Sequence, residues 1–205
     1  MAYAGSLNVS PERFPDPEVD APRAAGAEGR AVLAGGCFWC VEAVYQQLDG
    51  VSSVLSGYAG GSAETADYRT VSGGATDHAE SVEVRYDPAK MTYGQILKVF
   101  FSVAHDPTQR DRQGPDEGRQ YRSAIFAVDG EQRGIAEAYI RQLDAAAVFT
   151  APIATEVAAL ERFYPAEEYH RDYAARHPFD PYILFNARPK VDKVRKYFGQ
   201  LVARR

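Results

Sequence analysis

The sequence predicts an α+β domain in which helices cover one face of a mixed sheet, preceded by an extended arm and followed by a tail. Two observations carry this. Apolar residues recur at strand and helix spacing in the order β-α-β-β-α-β-α-β. Strands therefore mix with helices both singly and in pairs, which excludes a pure βα repeat. The composition, 45% hydrophobic and 25% charged over 205 residues, suits one globular domain that buries a core.

Each element follows from a local pattern. Residues 1–29 hold four prolines and little apolar periodicity, and are expected to form an arm that wraps the domain or stays mobile. RAVLAGG, residues 30–36, reads as a short buried strand closed by a glycine turn. From Phe38 to Leu48 the apolar positions 38, 41, 44, 45 and 48 keep helical spacing, and Asp49-Gly50 ends that helix. A strand is expected near 51–58 and a polar, glycine-rich loop over 60–78. Val82, Val84 and Tyr86 alternate as on a half-buried strand, with a turn at Asp87-Pro88. Thr92 with Gln95 forms a capping box that opens a helix to about Ala104. Residues 105–120 are long, polar and without periodicity, as functional or disordered loops are. A strand over 122–129, a helix over 131–146, a strand over 152–160, a short helix within 165–178 and a basic helix over 190–202 complete the chain.

The charge excludes little but weighs on partners. Lys and Arg total 23 against 28 acidic residues, a net charge of −5, which argues against nucleic acid or an anionic membrane as main partner. No apolar run reaches the roughly 18 residues of a membrane span. The start of the chain has no charged-then-apolar signal pattern, so a cytoplasmic protein is expected. Its two cysteines, Cys37 and Cys40, are too few to staple a chain of this size. In a reducing compartment their spacing suggests metal or redox chemistry.

Cys37 falls where a strand meets the first turn of a helix. Unpaired backbone N–H groups and the positive dipole end there favour a thiolate. Cys40 lies one turn further on, on the same side. Cβ atoms at this spacing are about 5–6 Å apart, whereas a disulfide needs about 3.5–4.5 Å. A bond between them would be strained and easily reduced, which suits a transient disulfide. Gly35 and Gly36 are expected to let a substrate approach the backbone. Two other readings stay open. The cysteines also suit a core helix as small hydrophobes, or half of a zinc site. His78, His105, His170 and His177 are not spaced as the second half. Phe38 and Trp39 point about 100° apart and cannot both face one core stripe, so one lines a pocket beside Cys37.

Gly36-Cys37-Phe38-Trp39, with Glu42 downstream, closely resembles the signature of the type A peptide-methionine sulfoxide reductases. Gly57-Tyr58-Ala59-Gly60-Gly61, Tyr68-Arg69, His78-Ala79-Glu80, Tyr86-Asp87-Pro88, His105-Asp106-Pro107 and Gln120-Tyr121-Arg122-Ser123 follow in that family's order. The likeness covers about residues 30–130 and continues more weakly through Phe163-Tyr164 to Pro189-Lys190. It implies a ferredoxin-like core, one catalytic domain over 30–205, and thiol-dependent reduction of methionine-S-sulfoxide, free or in proteins. It also implies roles. Cys37 resembles the nucleophile that becomes a sulfenic acid. Glu80 matches the acid that protonates the sulfoxide oxygen and is kept neutral by burial. Tyr68 and Tyr121 resemble the hydroxyl donors to that oxygen. Phe38 and Trp39 would wall the methyl group. Asp116, in Gly114-Pro115-Asp116-Glu117-Gly118, matches a pocket aspartate that orients substrate or water. Without the resemblance, Glu80 reads as a solvated glutamate at a strand end and both tyrosines as packing residues. His78 and His105 read as loop histidines bonded to backbone.

The departures concern recycling. Many members carry resolving cysteines near the C-terminus, whereas no cysteine follows Cys40 here. Ile183, in Pro181-Tyr182-Ile183, stands where some relatives have one. Position 40, often glycine, is cysteine, and Asp77 stands at a common glycine. Cys40 is therefore expected to resolve the sulfenic acid to a disulfide that thioredoxin reduces. The rival is a one-cysteine cycle in which thioredoxin or a small thiol attacks Cys37 directly. No bound cofactor or metal is expected. The expected partners are oxidised proteins carrying methionine-S-sulfoxide and thioredoxin, with no nucleic acid or membrane, and the chain is expected to be a monomer. A reading of a different class makes the same pocket a binding module that grips methionine or its sulfoxide without turnover.

Overall fold

The computed structural model describes residues 9–203; the first eight residues of the expected arm and the last two of the chain lie outside the described residues. The strands are β1 (Gly29–Gly35), β2 (Val51–Ala59), β3 (Ala79–Tyr86), β4 (Arg112–Gln113), β5 (Asp116–Glu117), β6 (Ser123–Ala127), β7 (Glu156–Ala159) and β8 (Phe163–Pro165). The helices are α1 (Phe38–Tyr45), α2 (Tyr68–Ser72), α3 (Tyr93–Val99), α4 (Gly130–Ala145), α5 (Tyr173–Arg176) and α6 (Arg188–Tyr197). Six strands form one sheet in the order β7-β6-β1-β3-β2-β8, and β4 with β5 makes a separate hairpin. Only the β6–β7 pair is parallel, so the sheet is mixed and the fold is α+β, as the element order predicts.

Central strand β1 is buried on both faces. Its side chains alternate, so Ala31 and Leu33 join the large core under the helices while Val32 and Ala34 join a smaller cluster with Phe126 and Phe163 on the opposite face. The capping box at α3 forms as predicted: Thr92 Oγ1 accepts from Gln95 N, and Gln95 Oε1 accepts from Thr92 N. The α-helix then gives way to a π-helical turn, Phe100–Ala104, which aims His105 inward.

The described part of the arm wraps the domain. Phe14 is 1% exposed and meets Phe149 edge-on, with ring centroids 5.5 Å apart. Tyr139 Oη donates to Pro15 O at 2.9 Å, and Gly94 N donates to Asp20 Oδ1 at 2.7 Å.

Three details differ from the local reading. The loop over 60–78 contains α2, capped by Asp67, whose side chain accepts from Thr70 N. The polar stretch 105–120 contains the β4–β5 hairpin, with Asp116 on it. β8 adds an edge strand beyond β2, too short and too proline-bound to show alternation. Among the described residues no helix is long and apolar enough to cross a membrane.

Candidate active site

Gly36 turns the chain from β1 into α1 at φ +85°. A Cβ there would lie 2.5 Å from Gln113 Cβ, and one at Gly35 would lie 3.1 Å from the His105 ring. The two glycines therefore admit Gln113 and His105, and not a substrate as the sequence suggested. Gln113 is buried and exchanges two 3.0 Å hydrogen bonds with the Asp106 backbone, which locks the hairpin beside Cys37.

Cys37 occupies the N-cap of α1, and the free N–H of Phe38 donates to Glu80 Oε2 at 3.1 Å. The helix start thus positions a carboxyl from the second residue of β3. Glu80 is 2% exposed, against the solvated position that its strand-end location suggested. Burial pushes its carboxyl up to about 8, with Asp116 and Cys40 adding repulsion that the Phe38 N–H only partly offsets. Glu80 is therefore mainly a neutral acid at neutral pH.

A cavity of about 200 Å³ is lined by Cys37, Phe38, Trp39, Tyr68, Glu80, Asp116, Tyr121 and Tyr182. The structure thus brings to one cavity every expected catalytic and substrate-binding residue, and adds Tyr182. Burial raises Tyr68 to about 12 and Tyr121 further, so both remain hydroxyl donors. Tyr68 opens α2, where its N–H donates to Glu167 Oε1 at 2.9 Å; Tyr58 Oη holds the other oxygen at 2.8 Å. Asp116 Oδ2 accepts the Tyr182 hydroxyl.

Trp39 is clamped by segments remote in sequence. Its indole stacks on Tyr173 at 3.8 Å and 9°, and its Nε1–H donates to His170 Nδ1 at 3.1 Å. Among the described residues, no group of three or more His, Cys, Asp and Glu side chains is placed to hold a metal ion. The zinc reading therefore finds no donor set there. His78 meets Ser62 O at 2.8 Å. His105 bonds Phe100 O at 3.1 Å and Ser123 Oγ at 2.6 Å, and burial lowers it to about 3, so it is neutral.

The model of the peptide methionine sulfoxide reductase family matches residues 29–201. This chain belongs to that family. A Synechocystis relative, peptide methionine sulfoxide reductase MsrA 2, is 53% identical over 200 residues, covering 95% of this chain and 94% of its own. The structure is similar to reduced yeast (Saccharomyces cerevisiae) Mxr1, with a TM-score of 0.69 and 32% identity, over 80% of this chain and 92% of that one. It is also similar to Mxr1 in complex with Trx2, with a TM-score of 0.50 and 25% identity, over 75% and 90% of the two chains. The chain is accordingly an oxidoreductase that reduces methionine sulfoxide with thiols.

For a methionine sulfoxide reductase the state of the two thiols is central, and here the structure reverses an expectation. Burial, Cys40 and Glu80 push the Cys37 thiol well up. The depressed thiol is Cys40, which accepts a hydrogen bond from Cys37 and faces Lys190. Burial outweighs the helix N-terminus expected to favour a Cys37 thiolate, and the Phe38 N–H there donates to Glu80. Cys40 itself does not line the cavity and is 2% exposed, one turn along α1 from Cys37.

Sequence reasoning missed Tyr182, His170 and Tyr173 as site residues. Their signal was an aromatic pair around Arg171-Asp172 and the Pro-Tyr step at 181–182, neither of which has the periodicity that reveals a buried face.

Proposed function

We propose that this chain reduces the S epimer of methionine sulfoxide, free or within oxidised proteins, with Cys37 as nucleophile, Glu80 as acid and Cys40 as resolving thiol. The observation that carries the reading is Cys37 and a neutral Glu80 facing one small cavity with an apolar wall.

A sulfoxide sulfur is electrophilic, but its oxygen leaves only when protonated. Cys37 sulfur attacks the sulfoxide sulfur while its proton passes to Cys40, the depressed thiol one turn along α1, which receives it as a thiolate. Glu80 protonates the oxygen, and the Tyr68 and Tyr121 hydroxyls donate hydrogen bonds to it. The substrate S–O bond and the transient bond between the two sulfurs break as the hydroxyl passes to Cys37, methionine departs, and Cys37 is left as a sulfenic acid. Glu80, now a carboxylate, takes the proton from Cys40. The Cys40 thiolate attacks Cys37, the S–S bond forms, the S–O bond breaks, and hydroxide leaves as water with the Glu80 proton. A dithiol then supplies two electrons to the disulfide. Thioredoxin is the proposed donor, supported by the likeness to Mxr1 in complex with Trx2; a small thiol would serve chemically.

Phe38 and Trp39 take the methyl group, and Asp116 with Tyr182 orients the remainder. Three different contacts at one sulfur admit one epimer, and the family resemblance makes it S. We infer further that residues 30–205 are the catalytic domain and 1–29 its arm. The central order β6-β1-β3-β2 supports a ferredoxin-like core. Two free cysteines support a reducing, cytoplasmic setting. A site built from one chain supports action as a monomer.

The test uses separated S and R epimers of a blocked methionine sulfoxide with dithiothreitol, alongside Cys37→Ser. S-selective loss of sulfoxide, abolished by the substitution, is expected. Binding of sulfoxide without turnover of either epimer would refute the reading in favour of a binding module. Cys40→Ser is expected to release one methionine per chain and then to stall with thioredoxin; normal turnover would refute its resolving role.

A further inference from the structure

Glu167 does not line the cavity and takes no part in the reaction above, yet both walls of the site lead to it. The chain reaches Glu167 fixed to the sheet. β8 pairs Tyr164 with Tyr58 of β2, and Ala166 N donates to Ser56 O at 2.9 Å. The Glu167 carboxylate then accepts from two segments. Tyr58 Oη donates to Oε2 at 2.8 Å, and Tyr68 N donates to Oε1 at 2.9 Å. Tyr68 is the first residue of α2, so its N–H has no acceptor within the helix. The N-cap side chain, Asp67, serves Thr70 N instead.

Glu167 also opens the turn Glu168–His170, where its carbonyl accepts from His170 N at 2.9 Å. That turn delivers two rings to the site. The His170 ring lies 4.5 Å from that of Tyr68 and 5.0 Å from that of Phe38, and it accepts the Trp39 Nε1–H. Tyr169 meets Tyr68 edge-on at 6.4 Å.

We propose that Glu167 is a positioning residue that couples the two walls of the cavity: its carboxylate seats Tyr68, and the turn it opens seats His170 and, through it, Trp39. The consequence for kcat rests on the role proposed for Tyr68; the coupling does not.

The direction of control follows from the anchoring. Glu167 is tied to β2, a nine-residue strand, whereas α2 has five residues and is too short to hold its own place. A hydroxyl displaced by about an ångström no longer bonds the sulfoxide oxygen well, and misplacement on that scale costs up to about a hundredfold in rate. Without the carboxylate the turn keeps its backbone bond but loses its ties to Tyr58 and Tyr68.

The test uses the full-length chain, a blocked methionine-S-sulfoxide and dithiothreitol, in variants that fold by circular dichroism. Glu167→Ala is expected to lower kcat about ten- to hundredfold, to raise KM and to shift the emission of Trp39, the sole tryptophan. Glu167→Asp, whose shorter arm cannot span both partners, is the second disrupting variant and is expected to move the same way. Glu167→Gln is expected to recover most of the loss, because its amide oxygen still accepts from Tyr68 N and its amide nitrogen can donate to Tyr58 Oη. A cycle with Tyr68→Phe separates positioning from general damage. The double variant is expected to match Tyr68→Phe in kcat, since a hydroxyl already removed cannot be misplaced. Losses in kcat that multiply, or unshifted Trp39 emission in the disrupting variants, would overturn the proposal. Parental kcat in Tyr68→Phe would instead refute only the role of Tyr68 and leave the shift in emission and the rise in KM as predicted.

Discussion

The indole Nε1–H of Trp39 donates to Nδ1 of His170, and this bond decides where a buried histidine carries its proton. With Nδ1 accepting, the neutral ring holds its hydrogen on Nε2, which points toward Glu167 Oε2 at 3.9 Å. The apolar wall of the cavity therefore depends on an uncharged His170, and burial keeps it so by lowering its pKa from 6.5.

His170→Phe keeps a ring against Phe38 and Tyr68 but removes the acceptor. Leaving the indole N–H unpaired costs about 1–3 kcal/mol. KM is expected to rise about tenfold, equivalent to 1.4 kcal/mol, with a smaller change in kcat. Trp39 is the sole tryptophan, so its fluorescence reports the wall directly. That fluorescence is expected to shift in the variant and to stay constant in the parent across about pH 7 to 8, where His170 remains neutral. Unchanged KM and emission in the variant would show that the bond does not hold the wall.

With Glu80 as the proposed acid, activity is expected to decline as pH rises through about 8, where its carboxyl ionises. Glu80→Gln is expected to lose about 10²- to 10⁴-fold in kcat. Its stability runs the other way. The folded carboxyl is raised from 4.5 to about 8, so stability present below the lower value is lost as pH climbs through the higher one. The glutamine variant should therefore exceed the parent by roughly 3–5 kcal/mol at alkaline pH and match it in acid. Urea midpoints at two pH values check this; equal gaps at both would contradict the buried-acid assignment.

Tyr182→Phe removes the hydroxyl that donates to Asp116 and faces both sulfurs. A hydrogen bond to a charged group contributes about 1.5–3 kcal/mol. The expected loss in kcat/KM is accordingly about ten- to hundredfold. Steady-state kinetics on a blocked sulfoxide measure it, and parent-like kinetics would remove Tyr182 from the working site.

Phe14→Ala tests the arm. The ring is fully buried against Phe149, and its truncation should cost about 3–5 kcal/mol. The urea midpoint should fall by that amount while the kcat of the folded fraction is retained. A midpoint within error of the parent would mean that the arm adds no stability.

Much of the site was legible because its residues sit in short, distinctive runs. Gly36-Cys37-Phe38-Trp39 and His78-Ala79-Glu80 could be recognised without any fold. β3 and α3 were legible for a different reason: alternation and a capping box are local signals that burial then reinforces. α2 and β8 left no such trace. One is a single turn held by Asp67 and Glu167, and the other is three residues paired to β2.

The chain order of residues was enough to nominate Cys37, Glu80, Tyr68 and Tyr121, which the fold brings to one cavity, because side-chain chemistry and motif spacing travel with the sequence. It was not enough to set the protonation of the site. That depends on solvation and on groups far along the chain. Glu80 is buried and takes the helix N–H expected to serve Cys37, and Tyr182, His170 and Tyr173 close the pocket from the C-terminal segment. Electrostatic energies are set by distance and burial, and only the folded arrangement supplies either.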